Sequence, residues 1–577
     1  MMVSRSILGL LGVFITACAT PASDNPGRQS NTPDATSGVF KSITIAQLNP
    51  IKSYGPWEFG TTAGGGASLA EVHTAGLVSE DRDGNSEPRL AAKLPSLDDG
   101  TITMMSDGRM QTRWSLRPGV RWQDGAPFSA DDVVFSWQIA VEPDLVSSLS
   151  TVPSKMESVV ALDPLTVLIT WNTVFYRSVE LHHRNLWLFS KHLLGESFAG
   201  DKQAFLAQPY FNSEYVNLGP FRLVDFGLGE RQIFERYDDY FLGRPRLDRV
   251  ILQTIADPNA LFASLQAGAV DIAAEKLFGT ETYVALRDEW QRSGEGLLLQ
   301  RQDNWPYVRI QFDPQWARPT EISRDVRVRR GLLYGIDRQA LTEAVLPGFA
   351  DTNGDTFMAV HDPRSPIVGQ PFAQYRYDPQ RAAQELAAAG WVRGSDGRLL
   401  NRDGVQVQIE VRGENQNYEK EVPILANWWR QLGIDATEFI PAIALSRDRE
   451  YRATLPALET TSRGRSEDIF ISFDGRLPSL AQNRWTGANI GHYANPSLDA
   501  LIDKLDGMLD ERDQATVLKG MADIMAADLP ALPLYFRPAF VAVRHGISAM
   551  AEDYTGTKSV GAVARNSHLW DRDTPSR

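Results

Sequence analysis

The single thiol of the chain, Cys18, follows Ile15-Thr16-Ala17 directly at the end of an apolar run. A cysteine so placed reads as the acceptor of diacylglycerol on its sulfur, with Arg5 as positive flank, Ile7 to Ile15 as apolar stretch and Thr16 and Ala17 as the small residues a peptidase needs; a cleavable secretory signal with an incidental cysteine is the alternative. The run is too short to span a bilayer as a helix. Several acyl chains anchor stably where one does not, each buried methylene contributing about 0.8 kcal/mol. No other segment is set up for covalent chemistry. There is no His-Glu-x-x-His pair and no Gly-Lys-Ser/Thr phosphate loop, and Gly66-Ala67-Ser68-Leu69-Ala70 lacks the last glycine of a nucleophile elbow. The runs starting at Asp81 and Asp351 echo calcium loops without the glycine at position six or the glutamate at twelve. His182-His183 are adjacent, a poor geometry for chelating one ion, and read as solvated or capping histidines. What remains is recognition: in Gly64-Gly65-Gly66, after Trp57 and Phe59, the missing Cβ atoms would let the backbone near Gly65 approach a ligand closely, a flexible surface loop being the alternative. Neither a metal nor a cofactor is called for.

These groups must be positioned by a large scaffold. At 577 residues two or three lobes are expected, with no disulfide to staple them. A net charge of -14 argues against a nucleic-acid partner, which needs a basic stripe. Residues 18–38, the cysteine and a Ser-, Pro-, Asn- and Gly-rich stretch, form a flexible tether behind the signal at 1–17. From Ser42 onward strand and helix signals mix. Ile43, Ile45 and Gln47 alternate, as do Val405, Val407, Ile409 and Val411, and Asp-Gly pairs such as Asp107-Gly108 mark hairpin turns. Ser129 with Asp132 reads as a capping box, with Phe128 and Val133 as its hydrophobic staple. Asp257-Pro258 and Asp378-Pro379 each open a helix that should close at Gly268 and Gly390.

Five blocks acquire meaning in order. They are Arg113-Trp114-Ser115-Leu116-Arg117-Pro118-Gly119 through Trp137; Asn217-Leu218-Gly219-Pro220-Phe221 with Tyr237-Asp238-Asp239-Tyr240; Ala256-Asp257-Pro258 through Asp271-Ile272; Val326-Arg327-Val328-Arg329-Arg330-Gly331 through Arg338; and Tyr377-Asp378-Pro379 through Gly390-Trp391. Together they resemble the family 5 extracellular solute-binding proteins, receptors of ABC importers for oligopeptides, dipeptides or nickel, over about Ile43 to Val543.

The resemblance implies an α/β, two-lobed clamp of the periplasmic-binding-protein type (type II, cluster C) with a small inserted domain. Lobe I would comprise 39–78, 209–300 and 529–577, the insert 79–208 and lobe II 301–528, with hinges near Gln300 to Tyr307 and Leu529 to Pro538. It further implies a monomer, tethered outside the cytoplasm by lipid, that closes on a peptide or other small solute and presents it to an ABC permease and ATPase. Ligand-induced engagement of a partner protein, and less readily hydrolysis, are the alternatives. Family peptide binders carry an aspartate in an Asp-Tyr-x-x-Pro type loop, which Asp474 and Pro478 match after the expected strand Ile469-Phe470-Ile471, although Gly475 replaces the aromatic and an Asp-Gly surface turn is the alternative. A second alignment puts the strand at Ala457 to Thr461 and aims Thr461, Arg463 and Arg465 at the cleft, where guanidinium forks suit a carboxylate. Trp305 and Tyr307 fall where the family places aromatic walls, and core packing is their alternative.

Overall fold

The computed structural model describes residues 40–573, apart from 56–65, 82–83, 146–149, 228–229, 350–353, 359–361, 465–466 and 551–561. Cys18, Gly65 and Arg465 lie outside the described residues, as do the signal and the tether. Among the described residues no helix is long and apolar enough to cross a membrane.

One eleven-stranded sheet organises the chain. Its strands are β1 (Ser42–Gln47), β2 (Phe221–Gly227), β3 (Arg231–Arg236), β4 (Arg249–Thr254), β5 (Ile272–Ala273), β6 (Gly296–Ile310), β7 (Gln408–Gly413), β8 (Asp435–Phe439), β9 (Leu458–Gly464), β10 (Ala531–Pro533) and β11 (Arg537–Arg544). The order is β8-β7-β9-β6-β11-β5-β1-β4-β3-β2, with β10 beside β6. Strand β6, about 50 Å long at the usual rise, belongs to both halves. Its first part pairs with β11 from Gly296↔Arg544 to Asn304↔Arg537, and its second part with β9 from Asn304↔Gly464 to Ile310↔Leu458. At a register shift the chain therefore changes partner along β6 between Gln302 and Asn304 and returns beside it through β10 and β11.

A second, four-stranded antiparallel sheet, of Ile102–Met104, Met110–Ser115, Thr166–Trp171 and Met156–Asp163, has its own core around Trp114, Trp122, Val133, Ile169 and Trp171. Thr112 Oγ1 accepts from both Trp114 Nε1 (3.2 Å) and Trp171 Nε1 (3.0 Å), so the buried indoles are satisfied. The helix Ala130–Ala140 packs on this sheet and starts at the expected box, with Asp132 Oδ2 accepting from Ser129 N at 2.9 Å.

The sequence blocks now have packing reasons. Gln123 Nε2 donates to Gly219 O and Phe221 O, both at 2.9 Å, tying the first block to the second. Gly219 lies so close to the His73 backbone that a Cβ would stand 2.2 Å from its carbonyl carbon. Gly331 likewise lets the helix Val326–Tyr334 meet Pro379–Ala388, a Cβ there falling 2.6 Å from Leu386 Cγ. The proline-led helices are capped as expected, Asp257 accepting from Ala260 N at 2.7 Å and Asp378 from Arg381 N at 2.9 Å. Both end at glycines of positive φ, Gly268 (73°) and Gly390 (96°).

Three local expectations are corrected. Ile469-Phe470-Ile471 is a 3-10 turn within Glu467–Phe473, not a strand. Val405 is exposed and precedes β7, which starts at Gln408. His182 and His183 are buried rather than solvated, with His183 Nδ1 3.4 Å from Glu71 Oε1. Nearby His73 is held neutral, its pKa pulled down to about 3 by burial and then by His183.

Candidate ligand-binding site

Antiparallel pairing sets Trp305 opposite Arg463, Tyr307 opposite Thr461 and Arg309 opposite Glu459. Strand alternation then puts all six side chains on one face of the sheet, at the start of the half entered by β6. The second alignment is thus the one with a strand, β9, at the expected place.

Their surroundings differ from those of a cleft wall. Trp305 and Tyr307 are fully buried with ring centroids 5.3 Å apart, and Phe473 lies 5.9 Å beyond Tyr307. Trp305 Nε1 donates to Gly354 O at 3.2 Å. Both aromatics are core behind the crossing. Thr461 is also buried and donates to Glu414 Oε2 at 2.6 Å. Burial opposes the charge on Glu414, but Arg309, Arg463 and Arg452 outweigh it and hold the carboxyl below its usual range. Arg463 is half-buried, its Nε donating to Ser472 Oγ at 3.1 Å and its Nη1 to Ser462 O at 2.9 Å.

Asp474 is occupied. Its carboxylate accepts from Arg476 N (2.9 Å), Nε (2.8 Å) and Nη2 (2.7 Å), and its own carbonyl accepts from Leu477 N at 3.1 Å. Arg476 outweighs the burial of Asp474 and keeps its carboxyl low. This is an aspartate that closes its own turn, the alternative that the Asp-Gly pair offered.

A cavity of about 410 Å³ opens where the halves meet. Lys276 and Phe278, from just after β5, face Glu421 at the start of the helix Glu421–Gln431, with Asp303, Asn304 and Arg537 of the crossing strands between them. Every charge named here is answered. Lys276 Nζ lies 2.9 Å from Asp303, Arg537 Nη2 2.7 Å from Glu421, and Lys420 pairs with Glu281 over the rim. From the cavity wall an ionic chain runs inward: Asp303 to Arg301 Nη2 at 2.8 Å, then Arg301 to both oxygens of Glu275 at 2.6 and 2.8 Å.

Beyond that chain sits the residue that sequence reasoning missed. Arg184, in Leu181-His182-His183-Arg184-Asn185-Leu186, has its Nη1 buried without a hydrogen-bond partner among the described residues. Burial pulls its pKa down, and the carboxylates of Glu80, Glu275 and Asp468, acting through space, counter that pull. Arg184 as a whole is half-buried, and leaving one of its guanidinium nitrogens buried and unpaired costs about 1–3 kcal/mol. Among the described residues no cluster of His, Cys, Asp and Glu could hold a metal ion.

A single sheet that passes through two halves by crossing strands, with a cavity at the crossing, is the build of a two-lobed solute-binding clamp. Residues 86–440 match the family model for bacterial extracellular solute-binding proteins, family 5 (middle region), and the chain belongs to that family. The oligopeptide-binding protein AppA of Bacillus subtilis is 24% identical over 552 residues, covering 92% of each chain. Heme-binding protein A of Haemophilus influenzae is 25% identical over 493 residues, covering 81% of this chain and 82% of the relative. The crystal structure of NikA from Brucella suis with Fe(III)-EDTA superposes with a TM-score of 0.74 at 20% identity, over 92% of this chain and all of the other.

Proposed function

We propose that this protein is the capture subunit of an ABC importer, held outside the cytoplasm by acylated Cys18, and that it closes on an oligopeptide or another carboxylate-bearing solute and passes it unaltered to a permease. The observation that carries the ligand class is Arg184. A half-buried guanidinium whose Nη1 is shut in without an acceptor matches a carboxylate, which it pairs in bidentate fashion. The ligands named for the similar proteins, oligopeptide, haem and an EDTA chelate, all bear carboxylates. We read 39–78, 209–300 and 529–577 as lobe I, 79–208 as the insert and 301–528 as lobe II. The separate small core and the crossings at β6 and at β10–β11 support that division. Work is done by differential binding: a solute that touches both lobes only when they close shifts the open-closed balance by that difference. Arg463, beside the crossing, is the second candidate contact.

A ligand bound to the folded state at a hundred times its Kd should stabilise it by about 2.7 kcal/mol. Thermal melts of the Cys18→Ser chain with short peptides, haem, EDTA chelates and neutral sugars should therefore show a rise with members of the carboxylate group. A panel without any shift would sink the capture reading. The same substitution should move the protein from the membrane to the soluble fraction of its host; retention in the membrane would refute the anchor.

A further inference from the structure

The small domain touches the far half of the molecule through two pairs of opposite charge and one tyrosine hydroxyl on a carboxylate. Tyr176 Oη donates to Glu467 Oε1 at 2.9 Å, Arg177 Nη1 to Asp468 Oδ1 at 2.8 Å, and Lys155 Nζ to Asp506 Oδ2 at 2.9 Å. The donors lie in two 3-10 turns beside the four-stranded sheet, Val152–Lys155 and Tyr176–Val179. The acceptors follow β9 and end the helix Pro496–Asp506. The acceptor side is built in advance. Arg364, 3% exposed, grips Glu467 with Nη1 (3.1 Å) and Nη2 (2.9 Å), and is itself held by Asp362 Oδ2 at 2.8 Å and Gln514 Oε1 at 3.1 Å. Glu467 is thus held by Arg364 as well as by Tyr176. On the donor side Glu180 Oε2 orients Arg177 by accepting from its Nε at 2.7 Å.

We propose that the small domain is an electrostatic latch: Lys155, Tyr176 and Arg177 engage Asp506, Glu467 and Asp468 only in the closed form, so these contacts, together with the ligand, set the closed fraction. This goes beyond the capture reading and holds whatever the ligand is, because it concerns the empty protein. The pairs are partly exposed, with Arg177 at 25% and Asp468 at 64%, so each is weak alone and salt screens it. Together they shift the closed-to-open ratio by about fivefold, at the level typical of such pairs. A ligand that binds the closed form loses apparent affinity by the same factor once the latch is cut.

The test uses ligand-free full chain carrying Cys18→Ser, which leaves no native thiol, with spin labels at Gln138→Cys and Ala500→Cys, both exposed. Pulsed dipolar distances at low salt should show the short-distance population falling about fivefold relative to the long one in Lys155→Met/Arg177→Met. Raising salt from about 0.1 to 1 M should reproduce that loss in the parent and change the variant little. The exchanged pair Arg177→Asp/Asp468→Arg should recover short distances that Arg177→Asp alone loses, a result independent of whether the Met variant folds well. Distance distributions insensitive to salt, or no recovery in the exchanged pair, would overturn the latch. Neither outcome touches the thermal-shift test of capture.

Discussion

Arg184→Met should raise the melting temperature of the empty protein while lowering its affinity for a carboxylate ligand about 30-fold or more. The two signs come from one cause. In the empty protein Nη1 of Arg184 is dehydrated without an acceptor, so an apolar side chain of similar length removes a penalty, and a gain of at least about 1 kcal/mol is expected. In the complex the same cation would pair with a charged oxygen, and cutting such a buried pair costs about 2–5 kcal/mol. Thermal melts and titration calorimetry on one preparation read both. A variant less stable than the parent, or one that binds as well, would show that Glu80, Glu275 and Asp468 already satisfy this arginine through space.

Glu459→Ala should destabilise the fold by about 3–5 kcal/mol, the range for breaking a buried ion pair from one side. Glu459 is 1% exposed and is shared by two arginines, Arg309, with which it forms a close hydrogen-bonded pair, and Arg412, whose Nε lies 3.3 Å away. Arg412 is buried as well, and its guanidinium rests 4.3 Å from the Tyr451 ring centroid. Losing the carboxylate strands two cations at the root of β9, beside the crossing. Urea unfolding measures the change. The double variant Arg309→Met/Glu459→Met should regain part of the loss, because one stranded charge goes with it. A single-variant loss under about 1 kcal/mol would mean that water reaches the pair.

The architecture was legible wherever local chemistry and fold agree. The Asp-Pro caps, the glycine helix ends and the capping box are decided within a few residues, and the structure has each of them. The change of partner along β6 has no signature of its own in the sequence, since no periodicity says that one strand serves two halves. The site was harder, because its groups meet only in three dimensions. Asp474 could be read as an amine anchor or as part of an Asp-Gly turn, and the side chain two positions on folds back over it, which an Asp-Gly-Arg run does not announce. Ile469-Phe470-Ile471 read as a strand by composition, but Ile469 and Phe470 are buried side by side while Ile471 is exposed, a pattern without period two. Trp305 and Tyr307 were placed on the correct strand and turn out to pack behind it. Arg184 was passed over because its setting is made by Glu80, Glu275 and Asp468, far apart in sequence. The one signal it carried was a lone permanent cation between two histidines and the apolar run Leu186-Trp187-Leu188-Phe189.

The most direct test is a crystal structure of the loaded protein, grown with a peptide that shifts its melting temperature. A ligand carboxylate should lie between the lobes within about 3 Å of the Arg184 guanidinium, with the ligand chemically intact. A closed, occupied cleft in which Arg184 touches no ligand oxygen would contradict the account.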